Sequence, residues 1–263
     1  MWHEQEILTI TMTYPVPHKE YLDTVCTGGI TRDGKWIRLY PISYRYLDRQ
    51  QQFSKFTWLK LNVRKSLKDN RPESFQPQEE SIEVVGHVSH PGERRYWLDR
   101  MLSPSIEHLE EMNREEPYSV SMGLIEMEYQ DFYWKEEIRK WSSKHVDFMR
   151  QQQLIGPMRR PLEKMPYDLR LRFRCNGNPE CTGHDMSIFS WEFNQTFRNW
   201  RDSGKYGEET DVLQVLKKSF EDRFGSSKNI SYVSVGTLSH YPTWIIGDLH
   251  SVALDIPVQP PLM

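Results

Sequence analysis

The chain has 263 residues, of which 37% are hydrophobic, 27% charged and 13% aromatic, and its formal net charge is −3. This length allows one large domain or two small ones, and the aromatic content favours a folded chain over a disordered one. Three cysteines do not make the disulfide framework of a small secreted domain, and no apolar run approaches the ~20 residues of a membrane span. Since the N-terminus also lacks the basic and apolar regions of a signal peptide, we expect a cytoplasmic protein.

Two short-strand regions and a set of helices follow from the hydrophobic pattern. In the first third of the chain, residues 6–12, 35–40, 57–63 and 81–88 predict strands. A fifth strand is not obvious there, and it is either shared or near residues 18–30. Helical patterns cover residues 93–102, 105–116, 135–153, 191–202 and 208–224. Further strands are predicted at residues 119–134, 167–174, 186–189, 230–238 and 243–252. The strands of the first region predict a small β-barrel or sandwich, and we expect domains at residues 1–118 and 119–263.

Charge is segregated along the chain. Residues 31–72 hold eleven basic and three acidic residues, and residues 138–205 hold thirteen basic and seven acidic residues. Between them, residues 73–137 hold five basic and sixteen acidic residues. Two basic blocks favour a polyanionic partner, and the alternative for either block is ordinary solvated surface.

The stretch from 167 to 192 combines a basic strand with a Cys/His loop. A period of two places Arg170, Arg172 and Arg174 on one face of a strand and apolar side chains on the other. Next come Cys175, an Asn-Gly-Asn-Pro turn, Cys181 and His184, which are potential zinc ligands. The fourth ligand is open: the candidates are Asp185, Cys26, His240 and His250. The alternative is two small buried thiols and a histidine in a hairpin turn.

Planar and cationic side chains interleave in the first basic block. Oligonucleotide-binding (OB) barrels hold single strands with stacking rings and phosphate-seeking cations, so these residues are candidates for the same role. The candidate rings are Trp36, Tyr40 and Trp58, and the candidate cations are Arg38, Arg45, Lys60 and Arg64. The alternative is that the tryptophans belong to a core that the cations surround.

An enzymatic alternative rests on the acidic block. Glu126, Glu128, Asp131 and Glu136 lie near Lys135 and Lys140, a composition that a metal-dependent nuclease site requires. Acidic residues at such density are more often a solvated face. No glycine-rich phosphate loop and no nucleophile motif of the GxSxG type occur in the sequence.

The chain resembles the dual OB-containing domain family of bacterial proteins. The resemblance is carried by TVCTGGITRDGKWIRLYPISYR, RPESFQP, FRCNGNPECTGHDMSIFSW and TWIIG, which sample most of the chain. It implies two OB-type barrels, recognition of nucleic acid or a nucleotide, and a place in bacterial conflict or anti-phage systems beside protein partners. The resemblance does not supply any established catalytic residues.

We therefore predict a mostly β, α+β protein with two OB-like barrels, inserted helices and a Cys/His hairpin. The predicted function is nucleic-acid binding, with a single strand favoured. The alternatives are a metal-dependent nuclease and an adaptor or small-nucleotide-sensing subunit of a larger complex.

Overall fold

Twelve strands and five helices make up the described part of the chain. The computed structural model describes residues 1–21, 23–155, 162–238 and 241–261. In the N-terminal region the elements are β1 (His3–Met12), β2 (Val16–Pro17), β3 (Asp23–Thr31), β4 (Trp36–Ile42), β5 (Thr57–Lys65), β6 (Ser74–Pro77), β7 (Glu83–His87), α1 (Pro91–Asp99) and α2 (Ile106–Glu115). The remaining elements are β8 (Met122–Glu136), α3 (Ser143–Ile155), β9 (Tyr167–Cys175), β10 (His184–Ser187), α4 (Trp191–Asp202), α5 (Glu209–Phe224), β11 (Asn229–Leu238) and β12 (Tyr241–Ala253).

The first sheet closes into a five-stranded barrel. Its strands follow the order β1-β3-β4-β6-β5, and β5 pairs back with β1. Ile7 of β1 lies opposite Thr31 on one side and Leu59 on the other, so β1 carries hydrogen bonds to both neighbours. The pairing of β4 with β6 is parallel, whereas the other four pairings of the barrel are antiparallel.

The second sheet repeats this arrangement. Its order is β10-β9-β8-β11-β12, and directly after β10 a parallel bridge joins Ile188 to Ile246 of β12. The Phe189 N–H donates to the Ile246 carbonyl over 2.8 Å at the same place. If the five strands of each barrel are numbered along the chain, both sheets run 1-2-3-5-4, with strands 3 and 5 parallel. This repetition matches the prediction of two OB-like barrels.

The apolar face of β9 forms much of the second core. Its inward side chains are Tyr167, Leu169, Leu171, Phe173 and Cys175, all of which are buried. Helix α5 covers this barrel, and the Phe220 ring stacks on Phe132 with a centroid distance of 4.1 Å. A capping box between Glu208 and Asp211 fixes the beginning of α5, because each side chain accepts from the other residue's backbone N–H.

The two barrels pack directly against each other. Tyr232 of β11 is fully buried in a cluster with Leu8 and Ile10 of β1, and its hydroxyl donates to Asp99 over 2.7 Å. Arg38 of β4 reaches across to the Ser121 carbonyl, 2.8 Å away. Apolar burial and buried hydrogen bonds therefore fix the relative position of the barrels.

The mostly β, α+β class predicted from the sequence is confirmed, with three local differences. The strand expected near residues 18–30 is present as β3, but the predicted strand at residues 81–88 is β7, which pairs with β5 outside the barrel. The remaining barrel strand is β6, which was not predicted. Strand β4 continues past Pro41 to Ile42, and the ladder with β3 is irregular opposite this proline, where a missing N–H is tolerated. Helix α3 begins at Ser143 rather than at residue 135, because β8 extends to Glu136. Among the described residues, no helix is long and apolar enough to cross a bilayer.

Candidate functional site

The hairpin between β9 and β10 brings two thiols and an imidazole together. Cys175 ends β9, His184 begins β10, and Cys181 lies in the loop between them. The loop contains two glycines with left-handed backbone, Gly177 with φ of 72° and Gly183 with φ of 101°. Because glycine adopts these angles without a steric penalty, the loop turns tightly enough to point both cysteines at the histidine.

Glu107 completes a group of four donor atoms. His184 Nε2 lies 3.4 Å from Cys175 Sγ, 3.3 Å from Cys181 Sγ and 3.1 Å from Glu107 Oε1. Cys175 Sγ lies 3.8 Å from the other Glu107 oxygen, and all four donors fall within 4.8 Å of one another. A tetrahedral ion bound at about 2.0–2.3 Å separates its ligand atoms by roughly 3.3–3.8 Å. The side chains therefore fit a metal ion, and we call them the Glu107 cluster.

The surroundings of the Glu107 cluster stabilise its geometry. Both cysteines are buried free thiols, and the Cys175 N–H donates to Cys181 Sγ over 3.3 Å. Arg174 Nη2 donates to the Cys181 carbonyl over 2.6 Å, which holds the loop against β9. Ser105 caps α2 by accepting from the His108 N–H, so Glu107 lies in the first turn of that helix. Carboxylates are favoured at this end of a helix.

Ionisation differs between the donors. Burial raises the pKa of the Cys175 thiol to about 12, so a metal must displace a proton to bind it. Burial also opposes ionisation of Glu107, but backbone and Ser105 hydrogen bonds, together with His184, outweigh it and hold the pKa of this carboxyl below its usual value. The cluster thus offers one ready carboxylate and, at Cys175, a thiol that needs a metal to ionise.

None of the fourth ligands considered from the sequence takes this position within the described residues. Asp185 accepts from the Tyr133 hydroxyl at 2.5 Å and from Arg170 Nε at 2.8 Å. Cys26 belongs to β3 of the first barrel, and His250 belongs to β12 with its Nε2 beside Ser234. His240 lies outside the described residues. Glu107 was not predicted from the sequence, because it belongs to a helix distant in sequence from the Cys/His loop. The only signal for it in the sequence is its position just after the helix cap Ser105.

The three arginines of β9 have different environments. Arg170 contacts Asp168 at 3.0 Å, Asp185 at 2.8 Å and the Tyr133 hydroxyl at 3.0 Å, and its side chain is 17% exposed. Arg174 bonds to the loop carbonyl described above. Arg172 is 52% exposed, and its nearest carboxylates, Asp131 and Asp185, lie 3.8 and 3.6 Å away. These distances exceed those of good hydrogen bonds, so Arg172 presents its donors most openly.

Two of the first-barrel candidates lie in the interior. Arg38 is 4% exposed and bonds to Ser121, and Trp58 is 5% exposed. The Arg32 guanidinium lies 3.5 Å above the Trp58 ring and covers it. Neither Arg38 nor Trp58 is accessible to a nucleic acid strand here, because packing between the barrels requires both. Trp36 also packs, half-buried, against the shared apolar cluster.

The other first-barrel candidates lie nearer the surface, and the three cations among them each contact a different residue. Arg45 pairs with Asp23 at 2.6 Å, and Lys60 pairs with Glu4 at 3.1 Å. Arg64 donates to Gln76 at 2.7 Å and lies over the Trp2 ring. Tyr40 is 41% exposed. Their predicted contacts with phosphates and bases stay predictions.

The acidic residues of β8 do not form a metal group in the described structure. Glu126 accepts from Asn176, and Asp131 pairs with Lys217 at 2.5 Å. Over residues 1–21, 23–155, 162–238 and 241–261, three or more metal-ligating side chains meet only at the Glu107 cluster. The nuclease alternative therefore gains no metal site from β8 here.

Two family models match the chain. No curated protein matches the chain. Residues 3–102 match the family described as domain of unknown function DUF8758. Residues 102–253, more than half of the chain, match the family described as domain of unknown function DUF8757. The two matches meet at Leu102, between α1 and α2. The chain therefore belongs to the DUF8757 family.

Proposed function

We propose that the protein binds single-stranded nucleic acid on the outer face of β9 and β10, which we call the β9–β10 face. The supporting observation is the strand order of the second barrel, in which β9 is the second strand and β10 the third. OB barrels bind oligonucleotides across these two strands. The basic strand identified in the sequence thus occupies the position that carries ligand contacts in such barrels.

Arg172 and Tyr133 are the central pair of this face. The Arg172 guanidinium lies 4.5 Å from the centroid of the Tyr133 ring, and Tyr133 lies on the neighbouring strand β8. A half-exposed cation beside an aromatic ring supplies a phosphate contact and a stacking surface together. Arg170 differs, because its contacts with Asp168, Asp185 and Tyr133 hold the tyrosine hydroxyl and β10 in place.

We also propose that the Glu107 cluster binds zinc. Two thiolates and an imidazole favour zinc over magnesium or calcium, which prefer oxygen ligands. Four protein ligands leave no coordination position for a substrate, so the ion has a structural role. It would fix the loop between β9 and β10 and, through the Arg174 bond to the Cys181 carbonyl, the end of the β9–β10 face.

A binding titration tests the proposed function. Labelled single-stranded DNA, single-stranded RNA and duplex are titrated with protein over a salt series, and fluorescence anisotropy reports the dissociation constant. We expect the single strands to bind and Arg172→Ala to weaken binding. Lys68→Ala is the control, since Lys68 is 84% exposed and pairs with Glu20 in the first barrel. Absence of binding by the folded protein at low salt would contradict the proposal and favour an adaptor.

The cellular setting implied by the dual OB-containing family is a further proposal. It comprises bacterial defence, a cytoplasmic location and a protein partner. Co-purification of a stoichiometric partner from the native host tests it.

A further inference from the structure

A cleft of about 500 Å³ lies between the two barrels. Its wall combines Tyr44, Phe53 and Lys55 of the first barrel with side chains of α1, α4, α5 and β12. This volume is within the usual range for small-ligand sites, which are concave and hold a few convergent polar groups. The cleft is separate from both the β9–β10 face and the Glu107 cluster.

Positive charge in the cleft exceeds the local carboxylates. Arg94 of α1 donates to the Val88 carbonyl over 2.8 Å and lies over the Phe56 ring, and no carboxylate of the described residues is within 4 Å of it. Arg223 of α5 lies 3.7 Å from Glu192. Both guanidinium side chains line the same cleft. Burial, and then the charge of Arg223, lower the pKa of Arg94.

The two carboxylates of the cleft are already engaged. Lys55 lies 2.5 Å from Glu192 and 2.9 Å from Asp248. Asp248 also accepts from the Ser190 hydroxyl over 3.0 Å and from the Leu249 N–H. Glu192 and Asp248 therefore neutralise Lys55 and part of Arg223, and Arg94 is left as an uncompensated cation. An anion would balance it.

His250 adds an unused hydrogen-bonding atom. Its side chain lines the cleft, is 2% exposed and makes an Nε2 contact of 2.9 Å with Ser234 Oγ. Among the described residues, His250 Nδ1 is buried without a hydrogen-bond partner. Burial holds the pKa of His250 well below its usual value, so the ring is neutral and Nδ1 can accept or donate one bond. A buried polar atom without a partner is rare, and a ligand would satisfy it.

Aromatic rings form another part of the wall. Tyr44 and Trp191 meet edge to face with centroids 5.2 Å apart, and Trp191 is only half-buried. The Tyr44 hydroxyl donates to the Phe53 carbonyl over 2.6 Å, which fixes its ring. Fixed rings at the margin of a cleft offer a surface on which a planar base can stack.

We propose that this cleft binds a nucleoside phosphate. The phosphate binds Arg94 and Arg223, and the base lies against Tyr44 and Trp191. His250 Nδ1 bonds to the ligand and so gains the partner it lacks. The same chemistry is offered by a free nucleotide and by the 5′-terminal nucleotide of a strand. This inference goes beyond the proposed function, since the cleft and the β9–β10 face share no residue.

Calorimetric titration tests the inference with AMP, ADP, and a tetranucleotide with or without a 5′-phosphate. We expect AMP or ADP, or the phosphorylated tetranucleotide, to bind the wild-type protein, and Arg94→Gln to weaken that binding by about 10-fold or more. Binding of the mononucleotides alone identifies a free nucleotide as the ligand, and binding of the phosphorylated tetranucleotide alone identifies a strand end. Lys218→Gln is the matched control, because Lys218 is on the same helix as Arg223 and is 71% exposed.

A second variant keeps the test decisive if Arg94→Gln does not fold. Arg223→Gln removes the partner guanidinium from a side chain that is 45% exposed, and we expect the same weakening. Far-ultraviolet circular dichroism verifies folding of each variant. No binding of any of these probes to the wild-type protein, or unchanged affinity in the folded variants, would overturn the inference.

Discussion

His184 Nε2 lies 3.1 Å from Glu107 Oε1, although His184 begins β10 and Glu107 belongs to helix α2. This contact joins the helix that follows the first barrel to the hairpin of the second. It also turns a three-ligand loop into a complete set of tetrahedral donors.

The contact predicts one zinc ion per chain. Protein purified under reducing conditions should contain stoichiometric zinc by elemental mass spectrometry. Cys181→Ala should lose the ion, and Glu107→Gln should retain it with affinity reduced at least about 10-fold, since a carboxylate is exchanged for a weaker neutral ligand. Cys26→Ala serves as the cysteine control, because Cys26 lies in β3 of the first barrel. Absence of zinc from the folded, metal-reloaded wild-type protein would rule out this site.

Arg170 and Arg172 should affect stability differently. Arg170 bonds to four polar residues (Tyr133, Asp168, Asp185 and Ser187) and its side chain is only 17% exposed, so Arg170→Ala should lower the free energy of unfolding by about 1–3 kcal/mol. Arg172 is 52% exposed, and Arg172→Ala should change the free energy of unfolding by less than about 0.5 kcal/mol. Urea denaturation measures both values. Equal effects would mean that the hydrogen-bond network around Arg170 does not stabilise the fold.

Asp248 should make part of the stability depend on pH. Burial raises the pKa of this carboxyl to about 6, against 3.8 for an unperturbed aspartate. The folded state therefore binds the proton more tightly than the unfolded state, and the resulting stabilisation is present below about pH 4 and lost as the pH rises through about 6.

The difference in unfolding free energy between wild type and Asp248→Asn isolates this contribution. When the pH is lowered from 7 to 4, the unfolding free energy of the wild type should rise by up to about 3 kcal/mol relative to that of the variant. His250 titrates in the same range with the opposite sign, since its folded pKa is depressed, but it is present in both proteins and cancels. A difference that does not change with pH would show that Asp248 ionises normally.

Local patterns account for what the sequence predicted well. The alternation of leucine and arginine in β9 needs only its own residues, because strand geometry fixes which side chains share a face. The same holds for α5, whose apolar face is periodic. By contrast, β6 has four residues and ends in Pro77, so its own pattern is too short to predict a strand.

Contacts between distant elements account for what the sequence did not reveal. The cysteines and His184 lie within one hairpin and were recognised, whereas Glu107 comes from another element. Likewise, the sequence of β9 alone does not reveal its neighbouring strands. Asp131 of β8 and Asp185 of β10 lie opposite Arg172 on either side. The cleft combines Arg94 of α1 with Arg223 of α5, which only packing of the two barrels brings together.

Salt-dependent binding of a single strand by wild-type protein and Arg172→Ala tests the central claim most directly. The account predicts that the wild-type protein binds a labelled single strand without a terminal phosphate, and that the logarithm of the affinity falls linearly with the logarithm of salt concentration. Arg172→Ala should bind more weakly and with a slope smaller by about 0.7, the value for one lost phosphate contact, while Lys68→Ala matches wild type. Equal affinity and slope for folded Arg172→Ala and wild type would contradict the assignment of the β9–β10 face.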